Sequence, residues 1–146
     1  MDACSQLCSV ADELASRVRS PRRFLVELGR AAGGVRLGPL WVIDAATGGR
    51  NRFRGGGFAT QFDDSTRGQA RHFAGIVAVA ARLGARATRW ASVHVGRDDP
   101  DSADGRLSEE AIEFTRLVAS GHLPLDQTSR WISDHLCAIP GVRHGR

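Results

Sequence analysis

The stretch Asp63-Asp-Ser-Thr-Arg-Gly-Gln-Ala-Arg-His-Phe-Ala-Gly-Ile-Val-Ala-Val-Ala-Ala-Arg-Leu-Gly84 decides how the rest of the chain is read. Its polar head gives way to small and apolar residues, and Gly84 stops the run. This predicts a helix from about Thr66 to Leu83, capped by Asp63, Asp64 or Ser65. At helical spacing Gln69, His72, Ile76, Val79, Ala80 and Leu83 share one face. The opposite side holds Ala70, Ala74 and Ala81, and only a strip with Arg71 and Arg82 looks wet. A helix that is small or apolar nearly all round is usually buried. The expected fold is mainly α: a compact bundle of about five helices around this central buried helix.

The other helices are read outward from it. Toward the N-terminus, Leu7, Ala11, Leu14 and Val18 recur at three- and four-residue spacing, which predicts a helix over 3–19. Ser20-Pro21 opens a second, with Phe24, Leu25, Leu28 and Ala31 or Ala32 on one side and Gly33-Gly34 as its stop. Between it and the central helix the pattern is irregular. A small β-hairpin, with strands near 40–45 and 50–54, or an extended segment suits residues 40–54, although neither arm alternates cleanly. Past Gly84, residues 85–106 read as a connection, extended at Trp90–Val95 and acidic and turn-rich at 98–105. A fourth helix is predicted from Leu107 or Ser108 to Ala119, with Leu107, Ala111, Phe114 and Val118 inward. A fifth runs from about Leu125 to Ala138, with Thr128, Trp131, Ile132, His135 and Leu136 inward or at the margin. The tail from about 141 is expected to fray.

Length and composition bound the rest. A chain of 146 residues suits one helical domain, 1–146. All 20 basic residues are arginine, and tyrosine is absent. Arginine, alanine and glycine have GC-rich codons, so this composition points to a high-GC, actinobacterial-type genome. It also weakens any argument from arginine count to nucleic acid. The net charge of +4 favours polyanions without specifying one. Three cysteines, Cys4, Cys8 and Cys137, with no basic and apolar leader, argue against a disulfide framework and for a cytoplasmic protein. The longest apolar run, Phe73 to Ala81, is far short of the roughly 20 residues of a membrane span, so no membrane association is expected.

Four groups of residues could carry chemistry. The first is the polar head itself. Gln69 and His72 lie one turn apart on the apolar face, near Asp63 and Asp64, with Arg71 about a quarter turn away. As a site, His72 would be a general acid or base, Asp63 or Asp64 would orient it or activate water, Gln69 would hydrogen-bond, and Arg71 would hold an anion. As a lock, the same residues cap the helix and satisfy one another. The second group is the loop Arg50-Asn-Arg52-Phe-Arg54 before Gly55-Gly56-Gly57, which could bind phosphates and stack a base or be an exposed loop in an Arg-biased proteome. The third is Asp98 to Gly105 with Glu110, a partial calcium-loop match that fails at Ala103 and reads as a solvated turn and helix cap. The fourth is Cys4 and Cys8, one turn apart but without the further spacing of a zinc site. No metal or other cofactor is called for.

Gly55-Gly-Gly-Phe58, Asp63-Asp-Ser-Thr and Gln69-x-Arg71-His72-Phe73, followed by an Ala/Gly-rich helix, resemble a group of uncharacterised bacterial domains with an S-x-x-Q-x-R-H-F-like signature. The resemblance spans residues 55–120, where Asp104 and Leu107-Ser108 before a helix also look similar. It implies association with secreted-effector or polymorphic-toxin proteins and supplies no catalytic roles. The function expected is therefore a polar site at Asp63, Asp64, Gln69, Arg71 and His72, hydrolase- or toxin-like. The alternative is a non-enzymatic binding module for nucleic acid or a protein partner, using Arg50, Arg52 and Arg54. A third reading is a structural or partner-binding helical domain. A cleft over His72, a continuous basic face, or a sealed His72 with an exposed apolar patch would favour the three in turn.

Overall fold

Capping and apolar spacing set the first two helices. The computed structural model describes residues 1–46, 49, 53, 55–63, 67–94 and 101–139. Helix α1 spans Ala3–Arg17, and its N-cap Asp2 accepts a hydrogen bond from Ser5 N at 2.8 Å. Helix α2 spans Pro21–Gly33 behind Ser20, whose hydroxyl accepts from Arg23 N at 3.4 Å. Their predicted apolar stripes are buried: Leu7, Ala11, Leu14 and Val18 on α1, and Phe24, Leu25, Leu28 and Ala32 on α2.

Five further helices follow: α3 Trp41–Ala46, α4 Gln69–Leu83, α5 Ala85–His94, α6 Ala103–Ala119 and α7 Thr128–Leu136. Short 3-10 turns at Thr60–Phe62 and Leu125–Gln127 precede α4 and α7. The mainly helical expectation holds, and the described residues contain no strand, only an isolated antiparallel bridge between Phe58 and Cys137. Helix α4 is the central element, packed on α2, α5 and α6 and touching α1.

Two short helices were misread. Residues 41–46 form α3 in place of a hairpin arm. Asp44 fixes it by accepting from Arg36 N at 2.9 Å, Nε at 2.8 Å and Nη2 at 3.0 Å. The other arm, near 50–54, lies outside the described residues apart from Phe53. Residues 85–94 form α5 in place of an extended connection, tied to α6 by paired hydrogen bonds from Arg89 to Glu109 at 2.8 and 3.0 Å. The local β preference of Trp, Val and Ile does not decide either segment.

Helix α4 also differs in detail from the prediction. It begins at Gln69 behind Gly68, which has no side chain to cap with, and Asp63 instead ends the preceding 3-10 turn. Asp64 and Ser65, the other expected caps, lie outside the described residues. Its deepest face is Ala70, Phe73, Ala74, Val77 and Ala78, while His72, Ile76 and Val79 are half-buried and Leu83 is exposed.

Two different contacts produce that face. Toward α2, small residues let backbones approach: a Cβ on Gly29 would lie 2.5 Å from Ala78 Cβ. Toward α6, Phe73 meets Phe114 with ring centroids 5.4 Å apart, and Phe114 meets Trp131 of α7 at 5.1 Å. Phe73 and Phe114 are fully buried; each such side chain contributes on the order of 1.5–3 kcal/mol.

The two ends of the described chain meet. Cys4 N donates to Gly56 O at 3.3 Å, Ala59 N to Leu136 O at 2.7 Å and Ala138 N to Gly57 O at 2.7 Å. At Gly57, φ is +91° and a Cβ would strike the Asp2 carboxylate, so only glycine fits this crossing. Cys4 and Cys137 form a disulfide there. This corrects the reading of the cysteines as unbridged. An odd count leaves one thiol over, here Cys8, and does not forbid a pair.

Candidate functional site

The head of α4 faces the first two turns of α6. Ser102 caps α6 by accepting from Gly105 N at 3.0 Å, and Asp104 lies in its first turn, where a carboxylate suits the helix dipole. The acidic segment thus acts in part as a helix cap; Asp98 and Asp99 lie outside the described residues. Among the described residues, no group of His, Cys, Asp and Glu could hold a metal ion.

His72 bridges the two helices. Its Nε2 lies 2.7 Å from Ser108 Oγ and 3.2 Å from the Asp104 carbonyl oxygen. Nε2 thus stands between a hydroxyl, which can donate or accept, and a carbonyl oxygen, which only accepts. Ser108 is buried and His72 half-buried. A histidine that takes a serine proton needs that nitrogen bare. The contact joins α4 to α6.

The other predicted residues are placed as follows. Gln69 is buried at the start of α4, one turn before His72. Asp63 is exposed at the end of the 3-10 turn. Arg71 folds back along its own helix end, its Nη2 3.2 Å from where a Gly68 Cβ would stand. Arg106 Nη1 donates to Gln61 O at 3.5 Å and closes the same corner from α6. Asp64, Arg50, Arg52 and Arg54 lie outside the described residues.

Ser108, the partner that spacing in the sequence did not reveal, stands 36 residues from His72. The only hint was the Leu107-Ser108 element within the resembling stretch. Farther along α6, Glu110 is half-buried, and its carboxyl is held above the usual range. Loss of solvent is the main cause; nearby His135 opposes it, and Glu113 and Glu109 add to it. His135 stacks on Trp131 with centroids 4.1 Å apart and accepts no part in the predicted site.

A second feature lies at the opposite end of α4. Leu37, Leu40, Val42 and Ile43 are 48%, 47%, 55% and 54% exposed, and no residue of α3 is buried. Four large apolar side chains are thus exposed within seven positions, a concentration that suits a contact surface. Trp41 adjoins them and carries Arg82 of α4 over its ring, 4.8 Å from the centroid. Arg82 also donates to Ala78 O at 2.8 Å and Arg36 O at 3.2 Å. Its pKa is lowered, first by desolvation and then by the nearby charge of Arg22. Among the described residues neither arginine makes an ion pair. The exposed apolar residues therefore stand beside the Arg82–Trp41 stack and the Arg36–Asp44 ion pair.

The chain matches no family model, no curated protein and no solved structure. The likeness of residues 55–120 to effector-associated domains rests on its motif alone.

Proposed function

We propose that this chain is a partner-binding helical domain whose docking surface is the apolar shoulder on α3, with His72 serving as an internal tie. The observation that carries this reading is the set of exposed side chains Leu37, Leu40, Val42 and Ile43 beside the Arg82–Trp41 stack. The partner that suits it is a protein segment with an apolar face edged by carboxylates, since Arg22 and Arg82 supply the opposite charge.

The second reading is hydrolytic, with His72 and Ser108 as a pair, favoured by their 2.7 Å contact. It requires Nε2 to carry no proton. The polyanion reading rests on Arg50, Arg52 and Arg54, which lie outside the described residues.

The Cys4–Cys137 bridge supports an oxidising compartment in place of the cytoplasm expected from the sequence, because such bridges persist where thiols are not kept reduced. Among the described residues, no helix is long and apolar enough to cross a membrane.

An anionic apolar dye, anilinonaphthalene sulfonate, imitates the chemistry of the partner's face. Wild type should bind it, and Val42→Asp/Ile43→Asp should lose most of that binding with an unchanged melting temperature. Equal dye binding by the two proteins would remove the shoulder as the docking surface.

A further inference from the structure

The third cysteine stands at the bridge formed by the other two. Cys4 and Cys8 are one turn apart on α1, on the same side. Cys137 reaches α1 from the extended segment after α7 and bonds to Cys4. Cys8 keeps a free thiol whose Sγ lies 3.9 Å from Sγ of Cys137. That is close to contact distance for two sulfur atoms. Cys4 is fully enclosed, whereas Cys8 is half-exposed, so the free sulfur is the one solvent reaches.

We infer that Cys8 exchanges with this disulfide, so that the chain has two alternative closures, Cys4–Cys137 and Cys8–Cys137. The Cys8 thiol first gives its proton to solvent. Its thiolate attacks Sγ of Cys137, the Cys8–Cys137 bond forms as the Cys4–Cys137 bond breaks, and Cys4 leaves as a thiolate that takes up a proton. One S–S bond and one thiol exist before and after, so no oxidant or reductant is consumed. The tie moves by one turn along α1, roughly 6 Å at 1.5 Å per residue. Its first turn, with the Asp2 cap and the Cys4–Gly56 hydrogen bond, is then released from covalent restraint.

The surroundings of Cys8 set the pace. Burial is the main influence and raises its pKa; the charges of Asp12 and Asp2 raise it further, while a hydrogen bond with Ser129 of α7 works the other way. The reactive thiolate is therefore a minority species at neutral pH. Its fraction grows about tenfold per pH unit below the thiol's pKa, so exchange from pH 6 to 8 should quicken roughly a hundredfold.

The full chain is incubated at alkaline pH without added thiol or oxidant, quenched in acid to stop exchange, unfolded in acidic guanidinium and blocked there with N-ethylmaleimide, so that the enclosed Cys4 is as reachable as Cys8. Fragmentation mass spectrometry then locates the blocked cysteine. The expected result is a mixture, with the label on Cys8 in some molecules and on Cys4 in others. In Cys8→Ser the Cys4 label should be absent. A label confined to Cys8 in wild type would overturn the inference. A Cys4 label that persists in Cys8→Ser would overturn it too, because the bridge would then be opening by another route.

Discussion

His72 reaches from the first turn of α4 to α6, its Nε2 meeting Ser108 Oγ and the Asp104 carbonyl oxygen. Truncation would leave the buried Ser108 hydroxyl without this contact. His72→Ala removes this hydrogen bond and should cost about 0.5–1.5 kcal/mol, the net contribution of a typical one. Urea unfolding would measure it, and a wild-type midpoint would mean that the α4–α6 joint does not depend on the imidazole. The chemical character of this corner was legible in the sequence: a histidine and a glutamine one turn apart at the head of an apolar helix demand partners. Which partners was not legible. Ser108 and the Asp104 carbonyl come from a helix far along the chain, and only packing determines that they arrive. The cysteines teach the same lesson. Their number was legible, but the pairing of Cys4 with Cys137 depends on the ends of the chain meeting.

Helices with one apolar stripe were the most legible elements. α1, α2 and α6 bury the stripes that their spacing predicts, and α7 buries Thr128, Trp131, Ile132 and Leu136 but leaves His135 exposed, because one face meets the core and the other meets water. On α4, small residues occur on every side and blur the period. The deep face is set by which neighbour comes closest, and Gly29 of α2 makes that approach. Short helices were illegible for another reason: α3 has six residues and α5 ten, too few for an apolar stripe to declare its period, and the pairs Arg36–Asp44 and Arg89–Glu109 join them to residues outside the helix. The close approach gives a test at this scale. Gly29→Ala should destabilise the protein by about 1–3 kcal/mol through overpacking, despite alanine's better helix propensity. Adding Ala78→Gly should recover part of that loss, so the double variant is less unstable than the sum of the singles. Thermal unfolding of the three variants would measure the coupling, and strict additivity would mean that the two backbones do not meet there.

At the scale of the whole molecule, the disulfide joins residues separated by 133 positions in sequence. Everything between them lies inside one covalent ring, including the exposed apolar residues of α3 and the His72 corner. This has a mechanical consequence. If the chain is gripped at Met1 and Arg146 and pulled, the load passes from α1 through the sulfur–sulfur bond to the segment after α7, and the ring carries none of it. Only the few residues outside the bridge can lengthen, roughly 50 Å at about 3.3–3.6 Å per residue, against roughly 500 Å for the reduced chain. Optical-tweezer extension in the presence and absence of a reductant would read this difference directly. A full-length extension without reductant would mean that the ring is open. A protein built this way can be tugged by its ends while its interior stays at rest.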